Sequence, residues 1–271
     1  MHPNKKRLRR SMMFLNCQKP GLIKDPYIYQ PDSIMLDVER VVRINGLDTP
    51  HWKEDIRVCV AGGADTIRIA KTESAADVRT VEEHVLAAER EFGRPEGSTL
   101  LMAALESCLG VLNALEICRS SERLIGIALS GGDYTKDLQT SITGTGVELM
   151  GARQHMIMAA RAAGVQCWDT VFTNLDDMEG FERETRMIKL MGFDGKSLVN
   201  PRQIAVVHKV FTPEEKEIIF AEKVVREIEE KKAQGIGVFT VDGKMIDIAF
   251  YDGAKRTLAM AKAAGVYKGE C

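Results

Sequence analysis

Two apolar runs in the middle of the chain each end on a carboxylate. They are Leu100-Leu101-Met102-Ala103-Ala104-Leu105-Glu106 and Leu124-Ile125-Gly126-Ile127-Ala128-Leu129-Ser130-Gly131-Gly132-Asp133. Apolar runs of this length without alternation read as parallel strands buried on both faces. An acid at the end of such a strand opens onto the face where α/β folds place their chemistry. On neighbouring strands, about 4.8 Å apart, Glu106 and Asp133 could share one hard divalent cation, with Mg²⁺ the first candidate. The bare pattern also allows each acid to cap a loop or to pair with a nearby arginine.

Other residues could join them. Arg43 ends a short apolar stretch and is a planar fork suited to a carboxylate, or to a structural ion pair with Asp37 or Glu39. Lys71 follows the apolar Ile67–Ala70; a strand-end lysine could form a Schiff base, although a neighbouring metal pair favours charge pairing with Glu73 or substrate. Lys196 and Asn200 flank the last strand-like segment, where such barrels often bind phosphate, and could equally hydrogen-bond within the rim. Asp247 follows a hairpin and, read bare, fits a helix cap.

The elements that must position these residues can be counted. Strand-like segments are Ser11–Asn16, Ser33–Glu39, Val41–Asn45, Thr66–Ala70, Leu100–Glu106, Ile125–Ser130, Gln166–Phe172 and Lys196–Asn200. Eight is the number that a closed parallel barrel requires. Helix-period segments separate most of them: Asp48–Gly62, Ala75–Phe92, Gly110–Ser120, Gly146–Ala163 and Met178–Met191. Gly62-Gly63, Gly164 and Gly192 supply stops before the next strand. One connection breaks the pattern. Only Arg40 separates the second and third segments, whereas parallel neighbours need a crossover of about a dozen residues and a hairpin about two. Either the two segments form one long strand, or a crossover helix is missing between Glu39 and Val41.

After Asn200-Pro201 the rhythm changes. Thr212-Pro213-Glu214-Glu215 starts a charged helix running to about Gln234. A hairpin over 238–245 turns at Asp242-Gly243, and a last helix covers roughly Ile248–Ala264. The expected organisation is a TIM (β/α)8 barrel over residues 1–211 and a helix–hairpin–helix arm over 212–271.

Bulk properties exclude several classes. A formal net charge of −2 gives no reason to expect nucleic acid or a membrane surface. The basic opening from Lys5 to Arg10 is local. No apolar run reaches the ~18 residues of a spanning helix, and the N-terminus lacks a secretion signal core. Six scattered cysteines without CxxC spacing suit reduced thiols in a cytoplasmic protein. The five histidines have no ligand spacing, so zinc and Cys/His catalysis have little support.

A set of short motifs then falls in order along nearly the whole chain: Arg10-Ser11-Met12-Met13-Phe14, Met35-Leu36-Asp37-Val38-Glu39, Val42-Arg43-Ile44-Asn45, Lys71-Thr72-Glu73, Leu105-Glu106-Ser107, Asp133-Tyr134, Gly195 to Ile204, and Gly243-Lys244-Met245-Ile246-Asp247. Together they make the chain resemble the citrate lyase β-subunit family of the citramalyl/malyl-CoA lyase-like (HpcH/HpaI aldolase) superfamily. That resemblance implies a TIM barrel with a C-terminal extension, Mg²⁺ dependence, and cleavage of a citryl thioester to oxaloacetate and an acetyl thioester. The thioester would be carried on an acyl carrier subunit or on CoA, with citrate lyase α and γ subunits as partners. A trimer-like homo-oligomer is expected, with the arm swapped to a neighbour.

Residue by residue, Glu106 and Asp133 match the family's metal-binding acids, with Glu106 also against substrate. Arg43 matches its substrate arginine, and Asp247 an acid that relatives deliver from an adjacent subunit to exchange a proton with the enolate carbon. Glu39 and Asp37 are candidates at the end of strand two, Glu39 in catalysis and Asp37 in substrate binding, and Lys71 is a further substrate contact. The chain departs from the family where Arg40 replaces an acid and the following helix is absent, and where Ser130-Gly131-Gly132-Asp133 is richer in glycine, which would let backbone approach the ligand. Malyl- or citramalyl-thioester chemistry on the same barrel, or an impaired scaffold, are the competing readings.

Overall fold

The computed structural model describes residues 7–15, 31, 33–34, 40–233, 237–267 and 269. They fall into two compact units, one formed by Arg9–Val210 and one from Phe211 onward together with Arg7 and Leu8.

The first unit is an eight-stranded parallel sheet: β1 (Ser11–Met13), β2 (Ser33–Ile34), β3 (Val41–Arg43), β4 (Thr66–Ile69), β5 (Leu100–Leu105), β6 (Leu124–Leu129), β7 (Gln166–Asp169) and β8 (Gly195–Leu198). Their order is β2-β1-β8-β7-β6-β5-β4-β3. Apart from β2 and β3, consecutive strands are neighbours, and the first pairs with the last, in parallel, with Met12 opposite Ser197. This is the connectivity of a (β/α)8 barrel whose ladder ends at β2 and β3. Among the described residues no pairing joins those two, and the residues between them, 35–39, lie outside the described residues.

The sheet curls. Five strand spacings separate β1 from β4, roughly 24 Å in a flat sheet, yet Arg68 Nη1 on β4 lies 3.5 Å from Met12 Sδ on β1. Met12, Val41, Leu100, Met102, Ile125, Ala128 and Trp168 share one buried cluster inside the curl. Trp168 fills its middle and donates its indole N–H to the Arg9 carbonyl at 2.9 Å, so its polar atom is satisfied where it is buried.

Helices follow the strands: α1 (Trp52–Ala61), α2 (Ala75–Glu91), α3 (Cys108–Leu112), α4 (Ala114–Cys118), α5 (Gly131–Asp137), α6 (Met150–Ala163), α7 (Met178–Met191) and α8 (Arg202–Phe211). Their ends have local causes. Ser74 and Asp77 form a reciprocal capping box on α2. Gly164 and Gly192 close α6 and α7 at φ 72° and 102°, where a side chain would be strained. The helix expected over 110–120 is split at Asn113, whose Nδ2 donates to the Glu73 carbonyl at 2.8 Å. Two helices, α5 and α8, were not expected from periodicity; α5 is too short to show any.

The second unit packs α9 (Glu215–Ala233) and α10 (Ala249–Ala263) on a hairpin of β9 (Val238–Val241) and β10 (Lys244–Asp247). Ile218, Val224, Ile228, Val241, Ile246 and Leu258 are buried together there. The hairpin turns at Asp242 (φ 47°) and Gly243 (φ 78°), the left-handed pair that an Asp-Gly hairpin uses. No described helix is long and apolar enough to cross a membrane.

Gly126 is where β6 admits β7 and Trp168. A Cβ there would lie 2.2 Å from the Gln166 carbonyl oxygen and 2.6 Å from the Trp168 ring. Gly126→Ala should therefore destabilise the protein by about 1–3 kcal/mol or more, read from urea unfolding.

Candidate active site

Glu106 is the first residue past β5, and Leu105 is in register with Leu129 on β6. Asp133 is in the first turn of α5, directly after β6. The two acids thus leave neighbouring strands at the same level, and the Asp133 charge bears on the Glu106 carboxylate. Glu106 is 6% exposed, and Asp133 faces solvent. Burial holds Glu106 above the ordinary carboxylate range and the Asp133 charge adds to this, while the Lys71 backbone N–H and the Arg68 charge act in the opposite sense.

The next strand positions Asp133. Gly131 donates its backbone N–H to Thr170 Oγ1, just past β7, at 2.8 Å, and a Cβ on Gly131 would lie 2.9 Å from that oxygen. The glycine expected to admit a ligand instead admits Thr170. Gly132 has nothing within 4 Å of a built Cβ.

Arg43 and Arg68 are register partners on β3 and β4, so their side chains leave the same face of the sheet. Val41, two residues before Arg43, and Met12 against Arg68 show that this face is the barrel interior. Arg43 is exposed at the strand end. Arg68 is 2% exposed, and burial lowers its pKa to about 10, with Glu106 favouring its charge and Arg43 opposing it. The sequence reading passed over Arg68. Its signal was a charged residue inside the short apolar strand Thr66-Ile67-Arg68-Ile69, where an inward side chain has no water to reach.

Lys71 ends β4 with a left-handed backbone (φ 50°) and an exposed side chain. Glu73 accepts the Ser107 hydroxyl at 2.6 Å, and among the described residues it has no ion pair with Lys71. Asp37 and Glu39 lie outside the described residues. Arg40 begins β3, with its N–H on Asp65 at 2.9 Å and its guanidinium on the Gly62 carbonyl at 3.0 Å. It is therefore at the opposite strand end from Glu106. Asp247 belongs to the second unit, where its carboxylate accepts the Ala249 N–H at 2.9 Å at the start of α10.

Lys196 is no rim contact for a ligand. It is fully buried, with Nζ 2.6 Å from Asp169, 2.6 Å from Glu184 and 2.8 Å from the Thr170 carbonyl. Arg153, also fully buried, makes two bonds to Asp169 at 2.8 and 2.9 Å and one ion pair to Glu184 at 3.0 Å. This closed set of charges braces Thr170, and through it Gly131 and α5. The thiols of Cys118 and Cys167 are unreactive in this setting, since burial raises Cys118 to about 12 and Cys167 well above its usual value. Cys17 and Cys271 lie outside the described residues.

The donor set can be tested against a metal. No group of three or more His, Cys, Asp or Glu side chains gathers among the described residues. Two converging carboxylates facing a polar mouth suit Mg²⁺, which keeps several waters and takes one or two protein acids. The fit is positive.

Residues 38–201 match the model of the family described as HpcH/HpaI aldolase/citrate lyase. The chain belongs to that family. It is 48% identical to the citrate lyase subunit beta of Leuconostoc mesenteroides subsp. cremoris over 96% of this chain and 95% of the relative. That alignment runs over 288 positions against the 271 residues here, so some positions of the relative have no counterpart in this chain. Two solved structures share the fold. A citrate lyase from Burkholderia xenovorans LB400 matches with a TM-score of 0.83 at 17% identity, covering 97% of this chain and 94% of that one. CitE from Mycobacterium tuberculosis, in complex with magnesium, acetoacetate and coenzyme A, matches with a TM-score of 0.74 at 24% identity, covering 93% and 98%.

Asp169 supplies a pH-dependent part of the stability. Burial alone would raise its pKa, but Lys196 and Arg153 outweigh burial and hold it below the ordinary range. A depressed acid adds stability that is complete above its unfolded value of about 3.9 and is lost as the pH falls through the lower folded value. Asp169→Asn should cost about 3–5 kcal/mol at pH 7 and flatten the acid limb of stability, measured by urea unfolding from pH 7 to 3.

Proposed function

We propose that this chain is a Mg²⁺-dependent carbon–carbon lyase that cleaves a citryl thioester to oxaloacetate and an acetyl thioester, in the manner of a citrate lyase β subunit. The observation that carries this reading is the placement of Glu106 and Asp133 at one level at the ends of neighbouring strands. Family membership and the near full-length likeness to a citrate lyase subunit beta support it.

The chemistry is a retro-Claisen cleavage. The tertiary hydroxyl gives up its proton, the bond to the thioester α-carbon breaks, and the electron pair stays on that carbon as an enolate. Protonation of the enolate gives the acetyl thioester, and the hydroxyl carbon becomes the keto group of oxaloacetate. Glu106 and Asp133 would hold Mg²⁺, which when bound supplies Lewis acidity toward the substrate's hydroxyl and carboxylate. Arg43 receives a substrate carboxylate at the open end of β3. Lys71 adds positive charge at the rim and turns its backbone N–H toward Glu106. Asp247 is the acid proposed to return a proton to the enolate carbon. Glu39, in catalysis, and Asp37, against substrate, enter the reading from the sequence.

The missing stretch is assigned to the crossover between β2 and β3. Arg40 lies at the start of β3, and only five residues separate it from Ile34 on β2, too few for a helix and its two loops. The partners follow from the same reading: an acyl carrier subunit or CoA bearing the thioester, α and γ subunits of a citrate lyase complex, and an oligomer that supplies the arm. The setting is cytoplasmic.

Oxaloacetate release from a citryl thioester should stop on chelation and return with Mg²⁺. Glu106→Ala and Asp133→Ala should each lower kcat/KM at least 100-fold, on the order of what loss of a group that stabilises transition-state charge removes. Full metal-dependent activity in both variants, or release of glyoxylate or pyruvate from malyl or citramalyl thioesters in preference, would overturn the assignment.

A further inference from the structure

Arg153 and Arg123, set in the interior or at its edge, are met by carboxylates, and Arg68 is not. Arg153 has two carboxylates within 3.0 Å, and Arg123 is 2.9 Å from the fully buried Glu89. Arg68 has no carboxylate in ion-pair contact among the described residues. Its Nη1 meets Met12 Sδ at 3.5 Å and its Nη2 meets Ser130 Oγ at 3.3 Å. The Phe14 ring covers the guanidinium at 5.0 Å, and the buried Nε has no partner. A buried cation held by a thioether, a hydroxyl and a ring face carries an uncompensated desolvation cost. A carboxylate brought by a ligand would remove that cost. Arg68 faces the same interior as Arg43, one strand away, with Glu106 beside it.

Two adjacent forks suit two carboxylates. The 2-oxo acid half of a citryl thioester carries two, both retained in oxaloacetate. The corresponding halves of malyl and citramalyl thioesters carry one. We infer that Arg68 is a specificity-determining residue that receives the second carboxylate of the substrate's 2-oxo acid half, while Arg43 receives the first. This inference rests on the lyase reading above and adds the residue that sets its substrate. It also explains why an arginine stands in the middle of β4, where an apolar residue would pack without cost.

The test uses Arg68→Met, which fills the volume without charge, and Arg68→Lys, which keeps the charge without the fork. Cleavage of citryl and citramalyl thioesters is compared, and oxaloacetate and pyruvate binding is measured by calorimetry with Mg²⁺ present. In Arg68→Met the ratio of kcat/KM for citryl over citramalyl thioester should fall on the order of 100-fold, as expected for truncating one partner of a buried charge pair. The preference for oxaloacetate over pyruvate should fall with it, and Arg68→Lys should recover part of both. Equal losses on the two thioesters, or no loss, would overturn the inference and leave the lyase reading standing. A wild type that prefers oxaloacetate through Arg68 yet cleaves no citryl thioester would overturn the lyase reading and support the assignment of Arg68. Thermal unfolding of both variants separates a lost contact from a lost fold.

Discussion

Glu106 and Asp133 carry like charges and are placed at one level at the ends of β5 and β6. Left alone, such a pair repels, and burial of Glu106 adds to the cost. The surrounding structure maintains the arrangement. Register between Leu105 and Leu129 sets the level of the two acids. The Thr170 hydroxyl takes the Gly131 N–H and fixes the start of the helix that bears Asp133. Behind Thr170 lies the closed set of Arg153, Asp169, Glu184 and Lys196, whose charges satisfy one another in the layer between sheet and helices.

The two charge clusters of the barrel thus differ in kind. In the set around Asp169 each charge meets opposite charge within the protein, which makes it a brace. The strand ends differ: Glu106 and Asp133 leave neighbouring strands at one level, and Arg43 and Arg68 are register partners without an acid in ion-pair contact among the described residues. A hard cation relieves the first and a dicarboxylate the second. A substrate that is both chelating and twice negatively charged meets both needs at once, and the oxaloacetyl half of a citryl thioester has those properties.

Much of this was legible in the chain. The runs ending at Glu106 and Asp133 announced buried parallel strands because they lack alternation, and Asp242-Gly243 announced its hairpin through the backbone that the turn requires. The short spacing around Arg40 leaves too few residues for a crossover helix between β2 and β3. What the sequence hid depends on contacts between distant segments. Lys196 looked like a rim residue, and only the neighbouring β7 and the approach of α7 show its two acids. Gly131 looked like a gap for a ligand, and only β7 shows that Thr170 fills it. Arg68 was invisible because an arginine within an apolar strand has no meaning until its face of the sheet is known. Helix α5 was missed for want of length, since seven residues cannot display a period.

The central claim is that Glu106 and Asp133 together form one hard-cation site. The direct measurement is a crystal structure grown with Mn²⁺ in place of Mg²⁺, with anomalous scattering locating the ion. The expected result is one strong peak between the two carboxylates, with an oxygen of each at about 2.0–2.2 Å and water or substrate completing the shell. A peak bound to only one of the two acids, or none at the strand ends at millimolar Mn²⁺, would contradict the account.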